Sequence, residues 1–397
     1  MEFLSGRIRR ISVSQTLEMS KRSSELKEKG VDIIDLSIGQ PDFPTPEHIK
    51  KAAIEAIQND FTFYTQVAGY TKLREAIAAK LKNENGLQYT KDQIVVSNGA
   101  KQALANTILT LIDEGDEIIV PTPYWVSYAE LDNLANGKNV FIKTTIKNDY
   151  KITPEQLEKA ITPKTRALLY SSPSNPAGSV YSKSELKALA EVIEKHPKVH
   201  VISDEIYEHI NYVGKHESIA QFESIKDRVI LINGVSKGYS MTGWRLGYMA
   251  APQWIADSCM KLQGQYTSCA CSVSQRAAFA ALTQDNIYTL GMNAAFKIRR
   301  DIMVQHLQEI PGLITNIPQG AFYAFPDASS YFGRSDTYIS IKNSSDLSMY
   351  LLNEAHVATV PGIAFGNPEC IRFSYAASAE NINKAMHRIK ESLKRIR

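Results

Sequence analysis

A chain of 397 residues is too long for one small core and points to roughly two domains, while 44% hydrophobic and 22% charged residues are ordinary globular values. Lys+Arg 45 against Asp+Glu 42 leaves a formal charge of +3, without the dense basic patch nucleic acid demands, and no run of about 18 apolar residues could span a membrane. Cys259, Cys269, Cys271 and Cys370 have neither the density of a disulfide scaffold nor a C-x-x-C metal spacing, and read as free thiols in a reducing compartment, the cytoplasm by default.

In chain order, the basic start MEFLSGRIRR is followed by no apolar stretch of the kind a secretory signal needs. Thr45-Pro46-Glu47 opens a helix, with a capping hydroxyl and Pro at the first helical position, and Ile49, Ala53, Ile54 and Ile57 are expected on one face. A second helix runs from about Thr71 to Asn85 and stops at Gly86, which suits a left-handed cap. The apolar strand Gln93 to Val96 then leads to a helix from about Lys101 to Leu111. Further strands are predicted at 117–120, 140–143, 166–170, 199–203, 229–232 and 245–249, with helices such as Ser184 to Glu194 between them. Short, nearly continuous apolar strands separated by helices predict a mostly parallel sheet covered on both faces. That is an α/β three-layer domain over about residues 45–290, leaving 1–44 and 291–397 for a smaller domain that holds the Pro361-Gly362 turn and a strand from Cys370 to Tyr375. The basic stretch from His387 to Arg397 alternates with Ile and Leu at helical spacing and reads as the solvated face of a terminal helix.

Ligands of open α/β sheets bind at the carboxyl ends of the strands. Four predicted strands end in unusual groups: Ser97-Asn98-Gly99-Ala100-Lys101, Ser171 to Pro176, Asp204-Glu205-Ile206-Tyr207, and Asn233 to Lys237. One such residue is commonly a solvated loop side chain; four in one sheet suggest a site. Together they suit an aldehyde-bearing, phosphorylated pyridine. The helix start at Gly99-Ala100-Lys101 favours a phosphate, a weak signal when taken alone. Asp204 could face the pyridine nitrogen, and Lys237 could form a Schiff base with the aldehyde once burial or nearby cations strip its proton. Arg245 offers a charged fork for the phosphate.

The stretch from Ser236 to Gly247, SKGYSMTGWRLG, resembles the pyridoxal-phosphate attachment signature of class I aminotransferases. Gly39-Gln40-Pro41-Asp42-Phe43, Pro123 to Tyr128, Asn175-Pro176-Ala177-Gly178, Asp204-Glu205-Ile206-Tyr207 and Arg372-Phe373-Ser374-Tyr375 match further motifs in the family's order. The resemblance covers essentially the whole chain and is strongest to the bacterial-type, subgroup I-beta, aspartate aminotransferases. It implies the fold type I architecture: a three-layer α/β/α large domain with a mostly parallel sheet, plus a smaller α+β domain.

The resemblance also implies roles. Lys237 would hold the pyridoxal 5′-phosphate and shuttle the substrate proton, with Asp204 on the ring nitrogen and Asn175 and Tyr207 on the ring's 3′-oxygen. Trp125, otherwise just as readily a core aromatic, would stack on the ring. The phosphate would take the backbone at Ala100 and Lys101, Ser236, Arg245, and Tyr64 from a neighbouring subunit, which implies a homodimer with shared sites. Arg372 would clamp the substrate α-carboxylate beside the Gly39 backbone, although without its motif it would read as a surface Arg at a strand start. Lys101 and the Ser14/Thr16 pair would receive a second carboxylate, favouring aspartate with 2-oxoglutarate as acceptor. Prephenate-using relatives commonly carry a Lys where this chain has Ser12, which weakens the case for that substrate. Gln40, Gly234 and Ala177 replace the commoner Glu, Ser and Thr without touching the core chemistry. A β-lyase on the same scaffold would not need the second-carboxylate residues, and a non-catalytic regulator would have little use for Lys237.

Overall fold

The computed structural model describes residues 3–12, 15–336 and 339–397, the side chains at 15–17 excepted. Seven strands form its central sheet: β1 (Ile94–Ser97), β2 (Glu117–Thr122), β3 (Lys138–Lys143), β4 (Thr165–Ser171), β5 (His200–Asp204), β6 (Val229–Gly234) and β7 (Gly247–Ala250). Their order is β1-β7-β6-β5-β4-β2-β3. All pairings are parallel except those of β7, which runs antiparallel to both β6 and β1. The sheet is therefore mostly parallel, as the apolar strands predicted.

Period-two alternation decides which face each strand residue covers. Val96, Leu168, Val201 and Leu231 join one apolar cluster, and their neighbours Val95, Leu169, Ile202 and Ile232 join another on the opposite side. Every residue of β1, β2, β6 and β7 is buried, while the edge strand β3 exposes Lys138 and Lys143. Burial of each such Val, Leu or Ile is worth about 1.5–3 kcal/mol, so the sheet carries much of the fold's stability. A third cluster forms elsewhere. It packs the helices Ile287–Gln308, Ser344–Glu354 and Ala379–Leu393 around Phe296, Phe322, Tyr350 and Ile389, next to a three-stranded antiparallel sheet that includes Ile371–Ser374. In the last helix Ile382, Ala385, Met386 and Ile389 face inward, while Lys390 reaches Glu309 at 3.0 Å and Arg395, just past its end, reaches Glu354 at 3.1 Å. Among the described residues no helix is long and apolar enough to cross a membrane.

Two local expectations fail. The helix Glu47–Gln58 begins after Pro46, and the Thr45 hydroxyl does not cap it: it donates to the Ser240 carbonyl at 2.7 Å and accepts from Trp244 Nε1 at 3.0 Å. Its inward stripe is Ile49, Ala53 and Ala56, leaving Ile54 and Ile57 exposed, because a step of one residue turns about 100° around a helix. The next helix, Thr71–Lys80, continues into a π-helical turn, Leu81–Asn85, and ends at Gly86 with φ 74°.

Candidate active site

The carboxyl ends of β1, β4, β5 and β6 lie along one rim, with Ser97 and Gly234 both opposite Gly247 and Ser171 opposite Asp204. The rim stays tight because Gly247 has no Cβ: one placed there would come within 2.2 Å of the Ala100 amide. Above the rim is a cavity of about 430 Å³. It is lined by Gly39, Ala100, Lys101, Trp125, Asn175, Asp204, Tyr207, Ser236, Lys237, Arg245 and Arg372, all named from the sequence. Of the other named residues, Tyr64 is 89% exposed in this chain and does not line it. Ser14 and the Thr16 side chain lie outside the described residues. A wider groove of about 1280 Å³ runs along the C-terminal helix, but no end of the central sheet reaches it.

Lys237 follows β6, and its Nζ donates to the Gly39 carbonyl and lies 5.8 Å from the Tyr207 ring centre. Asp204 ends β5, where its carboxylate accepts from the Tyr128 hydroxyl at 2.7 Å and the Ile206 amide at 3.2 Å. At one end, Gly99 (φ 87°) precedes the helix Ala100–Leu111 without any side-chain cap, and a Cβ there would meet Arg245 Nη2 at 2.5 Å. The Arg245 guanidinium thus lies over a helix start where the Gln102 and Ala103 amides turn back to the Gly99 carbonyl, leaving those of Ala100 and Lys101 to face an anion. Lys101 Nζ sits 4.9 Å from the Trp125 ring centre. At the other end, buried Arg372 donates from Nη1 to Asn175 Oδ1 at 3.1 Å and from Nη2 to the Ser37 carbonyl at 2.6 Å, with its guanidinium 4.4 Å from the Tyr323 ring centre. Its buried Nε has no partner among the described residues.

Among the described residues Lys101, Lys237, Arg245 and Arg372 face a single lining carboxylate, Asp204, so four positive charges less one negative leave a surplus of three. Burial, Arg372 and Arg245 lower the Lys237 pKa to about 8 against the opposing pull of Asp204. About one lysine in ten is then unprotonated at neutral pH, enough for a nucleophile. Burial raises the Asp204 pKa to about 6, with the Tyr128 hydrogen bond pulling the other way. Burial and then Arg245 also lower the pKa of Lys101. A dianionic phosphate and a carboxylate would offset this surplus, and the open helix start and the orphaned Arg372 Nε are where they fit.

Sequence reasoning assigned no role to Tyr128 or Tyr323, which meet the site through Asp204 and through a 2.8 Å hydrogen bond with Tyr207. Tyr128 stands in the Pro123 to Tyr128 motif, which could have suggested it. Tyr323 comes from the second core, where no strand-end argument reaches.

The family pattern described as aminotransferase class I and II matches residues 31–389, and the chain belongs to that family. Its cofactor is pyridoxal 5′-phosphate. It is 47% identical to the bifunctional aspartate aminotransferase and glutamate/aspartate-prephenate aminotransferase of Petunia hybrida, over 98% of this chain and 82% of that one. Identity to the aspartate/prephenate aminotransferase of Nitrosomonas europaea is 45%, over 97% of this chain and 98% of that one. The crystal structure of the aspartate aminotransferase from Rhizobium meliloti superposes with a TM-score of 0.96 at 41% identity, covering 99% of each chain.

Proposed function

We propose that the protein is an aspartate aminotransferase, passing the amino group of L-aspartate reversibly to 2-oxoglutarate to give oxaloacetate and L-glutamate. The observation that carries this reading is Lys237, a half-buried amine of lowered pKa placed between Asp204 and two separate cationic ends. When bound, the cofactor supplies an aldehyde that carries the amino group and a ring that withdraws electrons from the substrate Cα. Lys237 would attach it and, once freed, carry the proton to and from Cα as a positioned general base. Asp204 would hold the ring nitrogen protonated, Asn175 and Tyr207 would hydrogen-bond the ring oxygen, and Trp125 would lie on the ring face. Ala100, Lys101, Ser236 and Arg245 would bind the phosphate, joined by the partner subunit's Tyr64.

Arg372 would take the α-carboxylate beside Gly39, and Lys101 with Thr16 the distal one. Relatives named for aspartate at over 40% identity support the dicarboxylic donor, and the charge surplus supports two carboxylates. A homodimer is supported by the outward-facing Tyr64, which could complete only another chain's site, and by the nearby exposed Ile54, Ile57 and Phe63. The division into a large domain, 45–290, and a smaller one from 1–44 and 291–397 is supported by a second core, separate from the two clusters on the faces of the central sheet, that draws mainly on residues outside 45–290 and meets the large domain at Ile206, Tyr207 and Ile210. Four free cysteines support a cytoplasmic setting.

The broader aspartate/prephenate activity is a second reading, favoured by the Petunia and Nitrosomonas names and opposed by Ser12. A panel of amino donors with 2-oxoglutarate tests both. Aspartate should yield oxaloacetate and glutamate, and arogenate turnover would establish the broader reading. Pyruvate and ammonia from cystathionine, without oxaloacetate from aspartate, would make the protein a lyase and defeat the proposal.

A further inference from the structure

The turn after β5 divides its residues between two environments. Asp204 and Tyr207 line the cavity, whereas Glu205 and Glu208 do not. They enter a buried cluster behind it. Glu205 accepts from His216 Nε2 at 2.8 Å, Ser218 Oγ at 2.6 Å and Ser203 Oγ at 2.9 Å. Glu208 accepts from Lys80 Nζ, and at 2.8 Å from both Asn85 Nδ2 and Asn233 Nδ2. Lys80 closes the helix Thr71–Lys80, and Asn85 comes from the π-helical turn that follows it. Asn233 precedes Gly234 on β6 and accepts from its amide at 2.7 Å, so the cluster also grips the strand that leads to Lys237. One buried assembly therefore joins the turn carrying Asp204 and Tyr207 to the strand carrying the reactive lysine.

Its charges nearly close. Two carboxylates and one ammonium leave one negative charge, which a protonated His216 offsets. Burial works against that proton, but Glu205 and Glu208 outweigh it and the His216 pKa is raised. His209 and Glu84 extend the cluster outward, with His209 Nε2 2.9 Å from Glu84, and the buried Tyr89 hydroxyl feels the Glu205 charge. The ammonium already pairs with Glu208, so these carboxylates do not form an open metal site.

Stability alone does not explain the cluster. Burying ion pairs is a poor way to stabilise a protein, and apolar residues of similar volume commonly serve as well or better. What charged, multiply hydrogen-bonded groups add is a single defined geometry. We propose that the Lys80–Glu208 and His216–Glu205 pairs are positioning residues that set where Asp204 and Tyr207 stand relative to Lys237. This rests on the reading that Asp204 and Tyr207 face the cofactor.

The test compares the holoenzyme with Glu205→Gln, Glu208→Gln and the double variant Lys80→Met/Glu208→Gln, which leaves no lone buried charge should a single variant fail to fold. Three quantities are read: kcat, KM for aspartate, and the pH midpoint of the cofactor's visible absorption without substrate. A shift of about 1 Å in a reacting group can lower a rate by as much as ~10²-fold. We expect kcat to fall by at least roughly tenfold towards that limit, with KM little changed because Arg372 lies outside the cluster. The absorption midpoint should move by more than about half a pH unit, since Asp204 and Tyr207 set it. Folded variants with wild-type kcat and midpoint, however much lower their melting temperature, would show a purely structural role and overturn the proposal. If wild-type protein fails to turn over aspartate, the functional reading falls separately, while the midpoints still decide this one.

Discussion

At the Arg245 end of the cavity, the donors come from two short stretches of chain that leave the same sheet, 97–101 and 236–247. Arg245 is held by a near neighbour, donating to the Thr242 carbonyl at 2.9 Å. The Arg372 end is assembled differently: Arg372 belongs to the small antiparallel sheet, Ser37 precedes the central sheet, Asn175 follows β4, and Tyr323 lies in the second core. One end is set locally by the sheet rim; the other exists only when two cores are packed together. The second end should therefore respond to relative movement of those cores while the first does not. It also keeps a buried cation with no ion pair among the described residues, a state that a bound carboxylate would relieve.

The variants below test that contrast, beginning with the group between the two ends. Lys237→Ala should lower amino transfer by about 10⁴-fold or more and abolish the cofactor's covalent attachment, leaving both ends intact. Activity together with a borohydride-trapped peptide map checks it, and retained turnover or an adduct on another lysine would sink the assignment. Arg372→Lys keeps a charge but loses the planar fork, a loss of about 2–3 kcal/mol. That predicts kcat/KM for aspartate falling roughly 30- to 150-fold, with cofactor affinity unchanged. Equal losses in both quantities would erase the distinction between the ends. Gly99→Ala is the mirror experiment: alanine must adopt φ 87° and push against Arg245, a strain of about 1–3 kcal/mol. Cofactor affinity should fall roughly tenfold or more, while KM for aspartate at saturating cofactor holds.

The same contrast explains what was legible in the sequence. Lys237 and, at the Arg245 end, Gly99 to Lys101 could be read because each closely follows a strand, and strand ends converge in an open sheet. Arg372 and Gly39 could be named only through the resemblance, since nothing in local patterning says that a residue far along the chain returns to the rim. Tyr323 was missed for that reason. Glu205 stood in a quoted motif and Glu208 directly follows it, yet a turn in which Asp204 and Tyr207 face a cavity while their neighbours enter a buried cluster cannot be recognised until Lys80 and His216 are seen behind it. Ile54 and Ile57 failed more simply, because apolar residues adjacent to a helical stripe look like part of it.

Proton linkage gives the smallest effect and separates the ends again. Cofactor binding requires an ionised Asp204, to pair with a protonated ring nitrogen, and an unprotonated Lys237, to form the covalent link. In the cofactor-free protein the Asp204 pKa is raised to about 6 and that of Lys237 lowered to about 8. From these two groups, affinity should rise with pH through about 6 as Asp204 loses its proton, and again up to about 8 as Lys237 does. Each limb contributes at most about tenfold per pH unit. Folding stability follows the opposite sign for Asp204: its protonated form is favoured in the folded chain, so stability present at low pH is lost as pH rises from 3.8 to about 6. Lys237 disfavours folding while charged, so its contribution improves as pH rises from about 8 to 10.5. Arg372 stays charged throughout, so the carboxylate end adds no limb of its own. Fluorescence titrations of cofactor-free protein across about pH 5 to 9 should therefore show a two-limbed rise, and Asp204→Asn should remove the lower limb alone. Arg372→Lys should leave both limbs in place; a profile that is flat in the wild type, or that changes with Arg372, would mean the two ends are not separate.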